Sequence, residues 1–372
     1  MELDILIIED EQSIIDDWKE KIAFYSVEEE RVYTIQATYT KSFAEAKRKL
    51  SSMKFHAAVV DIRLESERGK PNDDGNQIFE IITDTTLTVA AVYTGEPEIV
   101  SLQKHQEQFA KVFRKGDGDI NEILSWFDER VTMISAINKV QSSFNIEMAK
   151  AFSRSIWPRW NHWVSEQVSD SASSSTVAAL QRHMATHLHA SFLLQDQHGA
   201  HPEEYFFIPP LQDSLDTGDI IYKDGNFDII VTPRCDMVRE KRDHSTYQLV
   251  RLEDMSIKWR ELESKLGAAD SPNKIKKAKS NILKFTNHDG QVGSHFIQRF
   301  RIQLPGDSGE NFYGPYYAQF NQLRSIERNT TTTKDLLSHR VASLSNEFVP
   351  SLVERLGSYF SRIGTPDYSH PD

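Results

Sequence analysis

The chain has 372 residues, 39% apolar and 26% charged, and 43 Lys/Arg against 55 Asp/Glu give a formal charge of −12. This is the composition of a globular chain of two or three domains, and it excludes collagen-like, low-complexity and wholly disordered classes. A single cysteine, Cys235, excludes an internal disulfide framework and a multi-cysteine zinc site.

The negative charge is unevenly placed: residues 1–120 hold 15 Lys/Arg against 24 Asp/Glu, a domain that repels a phosphate backbone and can concentrate cations. No run of 18 apolar residues predicts a spanning helix. Met1 opens onto Glu2 and Asp4 rather than a basic and then apolar leader, so a cytoplasmic chain with no membrane contact is expected.

In chain order, Leu3–Ile8 is an apolar run, Ser13–Phe24 has helical periodicity, Val32–Ala37 reads as strand and Ser42–Met53 as amphipathic helix. Ala57–Val60 is a second apolar run ending on Asp61. Asn76–Thr83 reads as helix, Thr88–Tyr93 as strand, Glu98–Gln108 as helix, Lys111–Phe113 as strand, and residues from Asp119 on as helix. Five such repeats predict an α/β doubly wound, five-stranded parallel sheet over residues 1–132. Helical character then continues to Val168, interrupted at Pro158, with Trp157, Trp160 and Trp163 as an aromatic stripe expected in a core or helix–helix contact. Ser169–Ser175 (SDSASSS) reads as a flexible linker, followed by a helix from Thr176 to Phe192. Residues 133–195 thus form a helical connector, with a homodimer seam along it as a further expectation.

Residues 196–372 change texture. Tyr205–Ile208, Asp219–Tyr222, Phe227–Thr232, Tyr247–Leu252, Phe296–Leu304 and Tyr316–Phe320 predict a β-rich, mostly antiparallel sheet or barrel. A charged helical insertion spans Ser256–Lys284, and Leu344–Ile363 reads as a closing helix. Lys274, Lys276, Lys277, Lys279 and Lys284 meet no acid between Pro272 and Lys284. Such a run is first of all a solvated face, and second a contact for nucleic acid or an acidic partner.

In a parallel sheet, ligands bind beyond the carboxyl ends of the strands. Those ends carry Glu9 and Asp10, Asp61, Thr94 and Lys115. A carboxylate accepting a phosphoryl group needs a hard cation held by oxygens, a hydroxyl for a phosphoryl oxygen and an ammonium for the remaining charge. These five side chains are that inventory. The segments ILIIEDE (5–11), AAVVDIRL (57–64), DDG (73–75), AVYTG (91–95) and VFRKGD (112–117) together resemble the receiver domain of two-component response regulators. The resemblance implies Asp61 as phosphoacceptor and Thr94 and Lys115 as its catalytic partners. It further implies Mg²⁺ bound by Glu9, Asp10, Asp61 and the backbone carbonyl of Arg63. A histidine kinase or a GHKL-type ATPase would be the donor. Such a receiver catalyses only its own phosphoryl transfer and hydrolysis. Three departures stand out: a long Asp61–Gly75 loop containing ESERGKPNDD, Val112 where an aromatic residue often sits, and Gly116 where proline usually follows the lysine.

TGDIIYKDGNFDIIVTPRCDM (217–237) faintly resembles the SH3-like barrel of the PemK/MazF toxin superfamily. With HPEEYFFIPP (201–210) and residues 338–367, it is also similar to a bacterial group in which a divergent receiver precedes this module, in phage-defence contexts. An endoribonuclease reading casts Arg234 or Arg299 as charge stabiliser and Asp236 or His295 in proton transfer. Cys235 as a nucleophile would need His244 or His295 beside it, and a buried structural cysteine is the simpler reading. His183, His187 and His189 read as helix-surface residues rather than a zinc site. The remaining alternative is an inert receiver used as a binding adaptor.

Overall fold

Strand β1 (Glu2–Ile8) shows why the first third folds as it does. Leu3, Ile5 and Ile7 join one buried cluster, while Leu6 and Ile8 join another on the opposite side. A strand apolar on both faces belongs inside a sheet covered on both faces. The computed structural model describes residues 2–27, 33–65, 71–72, 74–100, 102–116, 120–164, 171–193, 199–238, 245–287 and 293–362. The chain divides into two units, residues 1–195 and 196–372.

In the first unit β1 is followed by α1 (Gln12–Tyr25), β2 (Thr34–Thr40), α2 (Phe43–Ser52), β3 (Ala57–Val60), α3 (Asp74–Thr85), β4 (Val89–Thr94), β5 (Ala110–Arg114) and α4 (Ile120–Asp128). The sheet order is β2-β1-β3-β4-β5, all parallel. Helix α1 presents Ile15, Trp18, Ile22 and Tyr25 at helical spacing. With α4 it covers the face of Leu3, Ile5 and Ile7, and α2 and α3 cover the other. Ser42 caps α2, its hydroxyl accepting from the Glu45 amide.

The helix expected over Glu98–Gln108 is absent. Single 3₁₀ turns at Pro97–Ile99 and Lys104–Gln106 replace it, with Val100 and Gln103 extended. The β-branched Ile99–Val100 pair resists a helix, and Gln103 and Gln106 form a capping box that starts a new turn instead. Ile99, Val100, Leu102 and Phe109 still reach the core.

The connector begins with α5 (Val131–Ala151), breaks through a π-turn and a 3₁₀ turn into residues 160–164, and returns as α6 (Ser171–Leu193). Residues 165–170 lie outside the described residues, but 171–175, expected as linker, are helical. Phe144 and Phe192 pack with ring centroids 4.8 Å apart, holding the hairpin together at its open end. The tryptophan stripe divides. Trp163 packs on His183 across the hairpin at 5.3 Å, as a helix–helix contact, whereas Trp157 is 62% exposed and stacks on the exposed Trp160. The π-turn before Trp157 shifts the helical phase, which turns these two rings outward.

The second unit is a seven-stranded antiparallel sheet. Its strands are β6 (Phe206–Phe207), β7 (Asp219–Lys223), β8 (Asn226–Ile230), β9 (Thr246–Asp254), β10 (Ser294–Ile297), β13 (Tyr316–Glu327) and β14 (Arg340–Leu344). An accessory arm, β11 (Phe300–Ile302) with β12 (Asn311–Tyr313), follows β10. The sheet order is β10-β13-β9-β8-β7-β14-β6. It curls enough for Tyr205, next to β6, to donate its hydroxyl to the Phe296 carbonyl on β10 at 3.0 Å. Helices are α7 (Arg234–Val238), α8 (Ser256–Gly267), α9 (Pro272–Thr286), α10 (Thr330–Ser338) and α11 (Val349–Phe360). Residues 340–344 are strand where the closing helix was expected to begin at Leu344. Their backbone completes the sheet between β7 and β6, and Phe348 starts the helix instead. Among the described residues no helix is long and apolar enough to cross a membrane.

Candidate functional site

The carboxyl ends of β1, β3, β4 and β5 converge on one group of side chains. Backbone bonds set them in place: the Asp61 amide donates to the Ile8 carbonyl at 2.9 Å, the Glu9 amide to Thr40 at 3.0 Å, and the Lys115 amide to Thr94 at 2.9 Å. Glu9, Asp10, Asp61 and Lys115 therefore sit one or two positions beyond the last paired residue of their strands, and Thr94 is the last paired residue of β4. Gly75, in the first turn of α3, packs against this loop so closely that a Cβ there would lie 2.1 Å from the Asp61 carbonyl oxygen.

Glu9, Asp10 and Asp61 bring one carboxylate oxygen each to within 4.8 Å of one another, the one such group of three among the described residues. Glu9 is 2% and Asp61 6% exposed. The Lys115 Nζ lies 2.7 Å from a Glu9 oxygen and 2.8 Å from Asp61 Oδ2, bridging the two. Burial pushes the Glu9 carboxyl up to about 7 against the pull of Lys115, with Asp61 adding to the rise. Burial alone would lower the Lys115 ammonium, but Glu9 and Asp61 outweigh it and hold it above its usual value. The other Asp61 oxygen accepts from the Arg63 amide at 3.3 Å. Arg63 is fixed by Glu96, its Nε donating at 2.9 Å. Thr94 is fully buried, and its hydroxyl accepts from the Glu96 amide at 3.2 Å. The aromatic neighbour of Lys115 is Tyr93, whose ring centroid lies 5.8 Å from Nζ; Val112 pairs with Val92 in the sheet.

Three oxygen donors that crowd two buried carboxylates around one ammonium suit a hard divalent cation. Mg²⁺ fits this donor set: Glu9, Asp10 and Asp61 would hold it, and the Arg63 carbonyl stands on the same loop. When bound, it would neutralise charge developing on a transferring phosphoryl group. The loop departure lies partly outside the described residues (66–70 and 73); Leu64–Glu65 and Pro71–Asn72 pair as a short antiparallel hairpin at its base. Gly116 takes a left-handed φ of +91°, which a glycine tolerates and a proline cannot.

In the second unit the candidates are dispersed. Arg234, Cys235 and Asp236 lie together on α7, after β8, with Cys235 exposed rather than buried. Met237 is the residue α7 turns inward, which leaves Cys235 on the solvent side. His295 is buried on β10, with β13 and β9 between it and β8. Arg299 pairs with Glu263 at 3.6 Å, and His244 lies outside the described residues. His183 and His187 meet edge to face on the connector, 4.6 Å apart.

A small pocket of about 30 Å³ lies beside Arg234. It is lined by Arg234 together with Asp216, Asp219, Arg340 and Ser343. Its charges satisfy one another. Asp219 accepts from Ser343, the Asp216 amide and Arg340, while Arg340 also donates to the Gln212 and Ser214 carbonyls. Burial raises the Asp219 carboxyl despite those donors. This pattern ties β7 and β14 to the 211–217 loop. Of this lining only Arg234 was named as a candidate from the sequence, because Arg340 and Ser343 lie more than a hundred positions from Asp219.

No family model matches the sequence, and no curated protein matches it. Among solved structures, a CheY-like response regulator receiver domain from Methylobacillus flagellatus is similar at 17% identity, covering 35% of this chain and 98% of its own, with a TM-score of 0.27. The N-terminal domain of a response regulator/sensory box/GGDEF three-domain protein from Carboxydothermus hydrogenoformans is similar at 16% identity, covering 37% and 98%, with a TM-score of 0.26.

Proposed function

We propose that the chain is a cytosolic response regulator whose first unit accepts a phosphoryl group on Asp61 and passes that state to the second unit. The observation that carries this reading is Lys115 bridging Glu9 and Asp61 beside Asp10, at the ends of adjacent parallel strands. A carboxylate oxygen of Asp61 attacks phosphorus, and the P–N bond of a phosphohistidine donor, or the P–O bond of a small acyl phosphate, breaks with its electron pair on the leaving group. Lys115 is placed to balance the charge of the new acyl phosphate, and the Thr94 hydroxyl to bond one of its oxygens. The phosphoryl group carries about −1.5 to −2 where the carboxylate carried about −1, so roughly one negative charge is added, and esterifying Asp61 changes the Lys115 bridge, the contact positioned to sense it. The partners this reading requires are Mg²⁺ and a phosphohistidine donor, a histidine kinase or GHKL-type ATPase.

A second copy of the chain is the partner that suits the connector. Val140, Phe144, Ile146, Met148, Phe152 and Trp157 stay exposed along it. At ~150–250 Å² per large ring, half exposed, the three rings among them offer on the order of 300 Å², and the aliphatic residues add to this toward the ~800 Å² per partner of a standard interface.

The test is incubation of the full chain with acetyl phosphate, with and without Mg²⁺, read by intact-protein mass and by light scattering. One phosphoryl adduct that needs Mg²⁺ and is lost in Asp61→Asn is expected, on a dimeric species. Labelling of Asp61→Asn equal to wild type would remove the assignment, and no labelling or Mg²⁺ affinity at all would favour the adaptor reading.

A further inference from the structure

Helices α8 and α9 form a hairpin on the second unit that differs in charge from the rest of the chain. Residues 256–287 carry eight Lys/Arg against three Asp/Glu in a protein of −12. Helix α9 turns Ala278 and Phe285 inward, and Phe285 packs among Trp259, Phe296 and Tyr317. Its opposite side exposes Lys276, Lys277, Lys279 and Lys284, and none of these has an acidic partner among the described residues, whereas Lys274 pairs with Asp270. An acid-free lysine face of this kind is unfavourable for folding by self-repulsion and favourable for a polyanion.

A second, independent feature lies next to it. The β11–β12 arm holds Phe312 63% exposed, with the guanidinium carbons of Arg299 and Arg301 5.3 and 5.6 Å from its ring centroid. Arg299 reaches Glu263 on α8, so arm and hairpin are neighbours. The ion pairs of Arg299 and Arg301, at 3.6 and 3.5 Å between exposed groups, are weak and exchangeable for phosphate. A solvent-facing ring flanked by two cations, on an arm that touches the lysine-bearing hairpin, offers stacking to a base and charge to its backbone.

We infer that the second unit binds single-stranded nucleic acid along the α9 lysine face and the Arg299–Phe312–Arg301 arm. Single strands are selected because stacking on Phe312 needs an unpaired base, which a duplex keeps inside its helix. A membrane surface fits less well, because Ala278 and Phe285 are buried within the unit and α9 leaves only Ile275 and Leu283 as exposed large apolar residues, too narrow a face to insert. The inference does not depend on phosphorylation of Asp61.

The test is fluorescence anisotropy of the full chain with labelled oligo(dT) and oligo(U), and with a duplex of equal length, across a salt series. Single strands are expected to bind more tightly than the duplex, with a log–log salt slope of about −2 to −3 for three or four phosphate contacts. The triple variant Lys276→Glu, Lys277→Glu, Lys279→Glu should weaken binding at least tenfold and flatten the slope by about 2. Phe312→Ala should weaken it by about tenfold and leave the slope unchanged. Both sets are exposed, so urea midpoints matching wild type will show that folding is intact. Absence of binding at the lowest salt, equal affinity for duplex, variants that bind as wild type, or preference for phosphatidylserine vesicles would each overturn the inference.

Discussion

Asp61 can serve as an acceptor only while its loop is held in place, and Gly75 is the residue that holds it. A Cβ at 75 would meet the Asp61 carbonyl at 2.1 Å and the Ile62 Cα at 2.5 Å, both backbone atoms that cannot swing aside. Gly75→Ala must therefore push α3 from the loop. We expect a loss of about 2–3 kcal/mol in urea unfolding, from overpacking, together with weaker labelling of Asp61. Gly95, where a Cβ meets nothing within 4 Å, is the control; Gly95→Ala should stay within about 0.5 kcal/mol. If the two alanine variants unfold alike, the close approach at Gly75 is not what orders the loop. At this scale the sequence was most legible. Glu9, Asp10, Asp61, Thr94 and Lys115 each end an apolar run, and a polar residue after a buried strand has few places to go but the sheet's rim. The Asp219–Ser343–Arg340 group was not legible, because its members meet only after β14 inserts beside β7.

Elements were legible where periodicity and caps agreed, and not where burial alone drew the residues inward. Ile99, Leu102 and Phe109 are spaced as on a helix, yet the chain reaches the core with two isolated 3₁₀ turns. Strand β13 runs on past Phe320 through residues that are mostly exposed or half-buried, so alternation gives no signal for its second half. The loss of the helix over 98–108 has a measurable consequence. Single 3₁₀ turns carry few internal hydrogen bonds, whereas β4 is paired on both sides and buried along its length. Amides of residues 98–108 should therefore exchange with deuterium orders of magnitude faster than those of 90–93, since local opening there breaks little. Protection of the two segments to the same degree would mean that residues 98–108 are helical in solution.

Across the whole molecule the buried clusters separate cleanly: two draw only on residues before 135, and three only on residues after 205. Cooperativity follows shared burial, so two cores that share no residue should melt as two transitions. Ile5, on β1 of the first sheet, and Leu249, in the second, are both fully buried. Truncating either to alanine should cost about 3 kcal/mol, which for units of this size lowers a midpoint by roughly 6–12 °C. Scanning calorimetry of the full chain should show Ile5→Ala lowering one transition and Leu249→Ala the other, each leaving its neighbour in place. A single transition moved by both substitutions would mean that the units unfold as one, and a signal set at Asp61 would then reach the second unit through shared stability rather than through a change of contacts.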